Sequence, residues 1–549
     1  MNVTRKWKMA LDRSVTFANF VDRAADLYGD RTSFILDRPV AWDFMPGTEH
    51  SYIQWQGFVH RMAAVLTEEL GVRKGDRVVV DMSNRIEIPY TCAAIMKAGG
   101  VAVPLNFMLT GKEIAYIAGD SGARLMITDR PVYDFHIKQP ATVPTIERWA
   151  LMEDAEGLDG DFVELKPLLE QAPAVFPAPR MDPDELVGIF YTSGTTGFPK
   201  GAMMSSRSLL TAQRLTAAII PTTEKDTGLM ALPLAHLFGF GLWIIGMSAG
   251  LTSIFMRSFN PNKILTAIED RKVTIFVGAP AMYAMMLEAG LDSHDISSVR
   301  IWGSSSDAMP DEISREFSSR GRLKVGPFDV DSIFLDAYGM VELSSLACPK
   351  MPLPGLKFPP KCVGFPMPPI RMRVLDEDGG KLAAGEVGEL AVKGPCVTLG
   401  YWAKPEETAE QMSGGWFRTG DMARKDRIGR VYFVDRKKDV VKSGGYSVFS
   451  VEVEQEILEH PAVCEAAVVG IPHPTKKEVP VAVVVLEEGS SASEEELHAW
   501  CRDNIARYKS PRRVIVIAGE EMPRTPTMKV LKRELRDRYK DMFAGESRP

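Results

Sequence analysis

The chain is 549 residues long, 45% apolar and 25% charged, with a formal net charge of −7. That length predicts two to four packed units, and the composition excludes a disordered chain. An acidic balance of interspersed signs argues against the basic footprint of a nucleic-acid binder.

Taken in chain order, residues 58–70 place apolar side chains at helical spacing, and 77–81 read as a buried strand. Residues 87–98 are helical again and 100–104 form the next strand. Short β-branched runs recur at 125–128 and 273–277. Strand, helix, strand at this spacing predicts an α/β fold of layered subdomains with largely parallel strands. The pattern changes after about Gly364. Segments 372–375, 388–393 and 429–434 are short strands between Asp-Gly and glycine-rich turns, as in an antiparallel β-rich subdomain over about 364–435. The charge cluster Asp435-Arg-Lys-Lys-Asp439 follows. Beyond it come a helix at 451–458, strands at 465–469 and 480–486, a helix at 494–505 and a strand at 513–517. The expected division is a large N-terminal domain, 1–435, and a small α+β C-terminal domain, 436–549.

Cys92, Cys348, Cys362, Cys396, Cys464 and Cys501 lie far apart, without a CxxC pair or attendant histidines. Neither a disulfide framework nor a zinc site is expected, and a reducing, cytoplasmic setting fits best. The N-terminal MNVTRKWKMALDRSVTF has no long apolar run of the signal-peptide kind. The apolar stretches 88–105 and 237–254 are broken by Lys97, glycines and polar residues, so they read as buried elements and not as membrane spans. Peripheral membrane contact and oligomeric state stay open.

Chemistry concentrates in the loop Tyr191-Thr-Ser-Gly-Thr-Thr-Gly-Phe-Pro-Lys-Gly201, which follows the apolar run 186–190. Glycines let the backbone approach a phosphate, hydroxyls add donors and the lysine adds positive charge. The GxxxxGK[ST] spacing is absent, which disfavours a P-loop ATPase.

YTSGTTGFPKG closely resembles the signature loop of the adenylate-forming superfamily, which includes acyl-CoA synthetases, aryl-CoA ligases, luciferases and peptide-synthetase adenylation domains. The resemblance runs through nearly the whole chain in order. Ala231-Leu-Pro-Leu-Ala-His236, Tyr338-Gly-Met-Val-Glu342, Gly388-Glu-Leu390 with Gly400-Tyr-Trp402, Trp416-Phe-Arg-Thr-Gly-Asp421, Asp435–Asp439 through Ser443-Gly-Gly445, and Pro523-Arg-Thr-Pro-Thr-Met-Lys529 each resemble a motif of that family.

The resemblance implies ATP, Mg2+ and coenzyme A as co-substrates and cofactor, a small carboxylic acid as substrate, and no nucleic-acid partner. Thr192, Ser193, Gly194, Thr195, Thr196, Gly197 and Lys200 match the part that binds the β- and γ-phosphates. Glu342 matches the magnesium-associated acid, one carboxylate being enough where phosphates supply the other oxygens. Tyr338, with Ala337, Gly339, Ser305, Ser306 and Asp307, falls where adenine is held. Asp421 would accept from the ribose hydroxyls, supported by Arg436. Lys529 matches the lysine that reaches the acyl carboxylate and the α-phosphate, and His236 a histidine beside the acyl carbonyl. Lys438 occupies the hinge about which the small domain turns, making that domain mobile. Gly444 and Gly445 would line the pantetheine tunnel, and Arg507, Lys509 and Arg512 would meet the nucleotide of coenzyme A.

Three places depart from the family pattern. Val341 replaces a threonine that contacts the α-phosphate, Met528 replaces the glycine before the lysine, and residues 303–310 put serines and an acid in place of a Gly/Ala-rich adenine loop. The pocket positions are Phe238, Leu242, Trp243, Ser304, Ser345 and Ala347, largely apolar or small. No acid follows His236, so an amino-acid ammonium would be left unpaired. The expected substrate is a hydrophobic monocarboxylate: aryl, alicyclic or medium-chain. The alternatives are an acyl-AMP synthetase that loads a carrier protein, and a nucleotide-binding pseudoenzyme.

Overall fold

The computed structural model describes residues 2–158, 160–177, 179–192, 199–307, 309–325, 328–344, 347–350, 358–359, 361–524 and 529–544. The chain divides into two compact units. The first comprises Met1–Phe358, Pro366–Arg371 and Lys393–Gly415, and the second Pro359–Phe365, Met372–Val392 and Trp416–Pro549. It is a mixed α/β protein with a large N-terminal part and a small C-terminal part, as the alternating patterns predict.

The first unit is built on two sheets. One runs in the order Phe162–Glu164, Arg148–Leu151, Leu125–Thr128, Arg77–Asp81, Val101–Leu105, Leu186–Thr192, Lys200–Ser205. All neighbours in it are parallel except the last pair, which forms a hairpin. The other runs Cys348–Lys350, Ile333–Tyr338, Ile301–Ser305, Ile275–Gly278, Thr227–Met230, Thr252–Phe255, Thr32–Leu36, Glu49–Ser51. Its six inner strands are parallel and its two edge strands antiparallel. Continuous apolar runs such as Val78–Val80 are wholly buried, as strands covered on both faces require.

Helix Tyr52–Glu68 starts six residues before the apolar periodicity does, because Ser51 and Gln54 form a reciprocal capping box there. Trp55 from this helix stacks on Tyr90, with ring centroids 4.2 Å apart, and Trp243 meets Tyr90 edge-on at 5.2 Å. These rings anchor the largest core.

The second unit carries an antiparallel sheet in the order Cys362–Gly364, Val431–Arg436, Trp416–Lys425, Val387–Lys393, Arg371–Leu375. It also carries a mixed sheet in which Val463–His473 and Lys477–Leu486 pair over ten positions, with Arg513–Val516 parallel to the latter. The expected boundary at 435/436 lies inside this unit. The wholly buried Asp435 carboxylate accepts from the Ser450 backbone N–H, and from its hydroxyl at 2.9 and 3.1 Å. Lys532 then donates to Ser450 Oγ at 2.7 Å.

Candidate active site

The signature loop is held by the hairpin Leu186–Thr192/Lys200–Ser205, in which Thr192 faces Lys200 and Tyr191 faces Gly201. Ser193, Gly194, Thr195, Thr196 and Gly197 lie outside the described residues. The two ends that frame them are in place. Thr192 Oγ1 donates to the Lys200 carbonyl at 3.5 Å, and Tyr191 donates its hydroxyl to Asp120 at 2.7 Å. Gly201 has no room for a side chain, since a Cβ there would lie 2.6 Å from Ile189 Cγ2 and 3.0 Å from the Tyr191 ring.

Segment 398–402 runs along the outer edge of this hairpin. Met203 N–H donates to Gly400 O and Leu399 N–H to Met203 O, both at 2.9 Å, and Trp402 N–H donates to Gly201 O at 2.8 Å. This pairing delivers Tyr401 to the site. The Lys200 ammonium lies 5.5 Å from the Tyr401 ring centroid and pairs with Glu407, on helix Pro405–Gln411. The Tyr401 hydroxyl donates to Glu342 Oε1 at 2.9 Å. Burial, then the Glu342 carboxylate, raises the hydroxyl's pKa, so it stays a donor. Glu342 sits on the single turn Val341–Leu343 and is 7% exposed. Thr398 N–H fixes that turn by donating to the Glu342 carbonyl at 2.8 Å. Val341 packs against the main core.

Among the described residues, no group of three or more His, Cys, Asp or Glu could hold a metal ion. A buried carboxylate oriented by one tyrosine suits a hard cation that arrives with phosphates and needs few protein ligands.

Strands Ile301–Ser305 and Ile333–Tyr338 end side by side, in the position where parallel α/β sheets bind ligands. Ser305 Oγ donates to Ala337 O at 2.9 Å. Ser306 adopts φ of 82°, and the exposed Asp307 follows. Tyr338 pairs with Cys348 on the antiparallel edge strand, and Gly339 ends the strand.

Helix Leu237–Ala249 begins at His236, whose Nδ1 accepts from Phe238 N–H at 3.2 Å. The preceding loop crosses the helix closely at Gly239, where a Cβ would lie 2.3 Å from Pro233 O. Phe238, Leu242, Ile245 and Gly246 of this helix close a cavity of about 120 Å³ over strands Thr227–Met230, Ile275–Gly278, Ile301–Ser305 and Ile333–Tyr338.

Two expected pocket residues do not line that cavity. Trp243 lies ~100° around the helix from Leu242 and packs into the aromatic core against Phe20, Tyr90 and Phe240. Ala347 is fully buried and donates its N–H to Tyr338 O at 3.0 Å. Ser345 lies outside the described residues.

In the second unit, Asp421 and Arg436 are cross-strand partners, Nε to Oδ1 at 2.9 Å. Asp421 is 1% exposed, and its backbone N–H donates to Thr419 Oγ1 at 3.1 Å. Lys438 is exposed, next to Asp439, which takes Arg536 at 3.3 Å. Gly444 and Gly445 turn the hairpin Val441–Ser443/Tyr446–Val448 with φ of 55° and 89°. Arg524 bridges to Val530, Leu531 N–H donates to Pro523 O at 2.8 Å, and Lys529 beside them is half-buried. Met528 lies outside the described residues.

Lys509 corrects an expectation. It is 8% exposed and bound to Glu452 at 2.8 Å and Glu456 at 2.5 Å, so its charge is neutralised inside the unit. Arg507 and Arg512 are exposed. Beside Arg507, the exposed rings of Tyr508 and Tyr446 pair at 5.2 Å. Sequence reasoning passed over Tyr401, Glu407, Asp120 and this tyrosine pair. Their one sequence signal is the motif Gly400-Tyr-Trp402.

A family model described as AMP-binding enzyme matches residues 21–402, and one described as AMP-binding enzyme C-terminal domain matches residues 452–529. The chain belongs to the AMP-binding enzyme family. Within it, the chain is an AMP-forming acid–thiol ligase of the adenylate-forming superfamily. It is 31% identical over 498 residues to a long-chain-fatty-acid–CoA ligase of Bacillus subtilis, covering 85% of this chain and 86% of that one. It is 33% identical over 506 residues to a feruloyl-CoA synthase of an Amycolatopsis species, covering 90% and 94%. Its fold matches ATP-bound MatB from Rhodopseudomonas palustris with a TM-score of 0.83 at 30% identity, over 96% of this chain and 100% of the other. Among the described residues, no helix of this family member is long and apolar enough to cross a membrane.

Proposed function

We propose that the protein converts a hydrophobic monocarboxylic acid (aryl, alicyclic or medium-chain) to its coenzyme A thioester through an acyl-adenylate. In the first step a carboxylate oxygen attacks the α-phosphorus of ATP and pyrophosphate leaves. In the second the thiol sulfur attacks the acyl carbonyl, AMP leaves and the thiol proton is released. The observation that carries this reading is the cluster of Lys200, Tyr401 and Glu342 beside the signature hairpin, in the unit that also holds the apolar cavity.

Joining a carboxylate to a polyphosphate brings anions together, and aimed cations and donors offset that repulsion. Lys200 and Thr192 take the outer phosphates. Glu342, held by Tyr401, is the ligand for Mg2+, which would supply positive charge between the phosphates. Tyr338, with Ala337, Gly339, Ser305, Ser306 and Asp307, holds adenine, and Asp421 with Arg436 holds the ribose. His236 forms the wall beside the acyl carbonyl. Lys529 brings its charge to the carboxylate and α-phosphate, and the domain from 436 onward turns about Lys438 between the two steps. Gly444 and Gly445 leave room for pantetheine. The exposed Arg507 and Arg512 meet the nucleotide of coenzyme A next to Tyr446 and Tyr508.

The adenylation half is tested by acid-dependent exchange of labelled pyrophosphate into ATP, with Lys529→Ala as the diagnostic variant. Exchange with hydrophobic acids is expected in the wild type and not in the variant. The variant should still form thioester from supplied acyl-AMP. Equal loss of both half-reactions would refute the two-step division of roles.

A further inference from the structure

The bend that follows strand Arg77–Asp81 carries an amide that reaches a distant loop. Asn84 is 5% exposed and makes hydrogen bonds to backbone groups 148, 150 and 173 positions away. Its Nδ2 donates to Leu232 O at 3.2 Å and to Arg257 O at 3.0 Å, and its Oδ1 accepts from Leu234 N–H at 2.9 Å. Leu232 and Leu234 belong to the loop that ends at His236. The Pro233 carbonyl between them accepts from His236 N–H at 3.2 Å. It also lies against the first turn of helix Leu237–Ala249, where a Cβ on Gly239 would come within 2.3 Å of it. One short loop thus links Asn84 to the histidine and to the turn that carries Phe238.

The bend is fixed on both sides of Asn84. Ser83 donates its backbone N–H to Asp129 Oδ2 at 3.0 Å and its hydroxyl to the same oxygen. Arg85 is 3% exposed and pairs with Glu87 at 2.7 Å, with Asp129 at 3.5 Å and with Glu153. A cation buried among acids adds little net stability, because desolvation offsets the attraction. The cluster therefore calls for a role other than stability. An amide suits position 84 because it offers two donors and an acceptor on a short stem. Aspartate would lack the donors and set a carboxylate against two carbonyl oxygens. Alanine would take a partner from Leu232 O, Arg257 O and Leu234 N–H together.

We propose that Asn84 is a positioning residue for the acyl site. It sets the backbone of residues 232–234 and, through it, His236 and Phe238, and the buried ions around Arg85 hold the bend that presents it. This rests on the ligase reading above and adds a determinant of acid binding to it. The phosphate side is held by other contacts, Tyr401 on Glu342 and segment 398–402 on the hairpin. Loss of Asn84 therefore acts on the acid and not on ATP.

The test compares the wild type with Asn84→Ala, Asn84→Asp and Ser83→Ala as purified full chains, using octanoic and phenylpropanoic acids. Steady-state pyrophosphate release gives KM for the acid and for ATP, and thermal unfolding reports the fold. Asn84→Ala should raise KM for the acid by about tenfold or more and leave KM for ATP within about twofold, because a small displacement of a substrate-positioning group is costly. Asn84→Asp should show the same split at equal or greater size. Ser83→Ala loosens the bend and keeps the amide, so its acid KM should rise by about threefold. A merely structural role predicts a lower kcat from a smaller active fraction with both KM values unchanged, and that result overturns the proposal. So does a rise in KM for ATP that matches the rise for the acid. Where both Asn84 variants fail to fold, an unchanged acid KM in Ser83→Ala overturns it. Wild-type release with an unaltered acid KM in the variants sinks this inference alone, whereas no wild-type release with any acid sinks the ligase reading with it.

Discussion

The Tyr401 hydroxyl donates to Glu342 Oε1 at 2.9 Å although 59 positions separate the two residues. The same ring lies beside the Lys200 ammonium. One tyrosine thus joins the cation expected on the phosphates to the carboxylate expected on the metal.

Tyr401→Phe keeps the ring and deletes the donor. A hydrogen bond to a carboxylate contributes about 2 kcal/mol, so kcat/KM for ATP should fall by ~30-fold. The loss should be partly recovered by raising Mg2+, because Glu342 is then misplaced but still charged. Initial rates of pyrophosphate release across a Mg2+ series check this. The melting temperature should change little.

Glu407 holds Lys200 when no phosphate is there to do so. Its side chain is 38% exposed, so the pair is weak and displaceable. Glu407→Gln removes a competitor for the ammonium and should lower KM for ATP by about threefold, with kcat close to wild type. Steady-state kinetics in ATP at saturating acid decide it. A raised KM would show that Glu407 positions Lys200 and does not compete for it.

Asp81 gives a stability prediction with a definite sign. It is wholly buried, and neither carboxyl oxygen has a hydrogen-bond partner among the described residues. Burial, and then the charge of Asp129, raise its carboxyl to about 8. The unfolded chain releases this proton near pH 4, while the folded chain keeps it until about pH 8. Between those values the folded state binds more protons, so its stability falls as pH rises. Asp81→Asn removes the titration. Its melting temperature relative to wild type should therefore be more favourable at pH 8 than at pH 5, as thermal unfolding at the two values would show.

The alternating α/β pattern and the change to β-rich turns after Gly364 were legible because burial on both faces and tight turns leave local marks in sequence. Most strand and helix ends shifted by a residue or two; the paired strands Val463–His473 and Lys477–Leu486 run three or four residues further toward their hairpin, and helix Tyr52–Glu68 starts six earlier, where a cap outside the apolar run set the start. The site was legible wherever its residues fall in contiguous motifs, as at Lys200, Glu342 and Asp421. It was not legible where distant segments meet. Tyr401 reaches Glu342 only because segment 398–402 pairs with the Gly201–Met203 edge, and nothing local in 401 reports that. The direction of Trp243 is hidden for a different reason. Its helix is apolar on every side, so periodicity gives no direction, and packing alone turns the indole toward Tyr90.

The central claim is tested most directly by incubating the protein with ATP, Mg2+ and a hydrophobic acid, with and without coenzyme A, and resolving the products by mass. The account expects AMP, pyrophosphate and an acyl-CoA thioester in equal amounts when coenzyme A is present, and only slow pyrophosphate release when it is absent. Pyrophosphate release indifferent to coenzyme A, with no thioester formed, would contradict it.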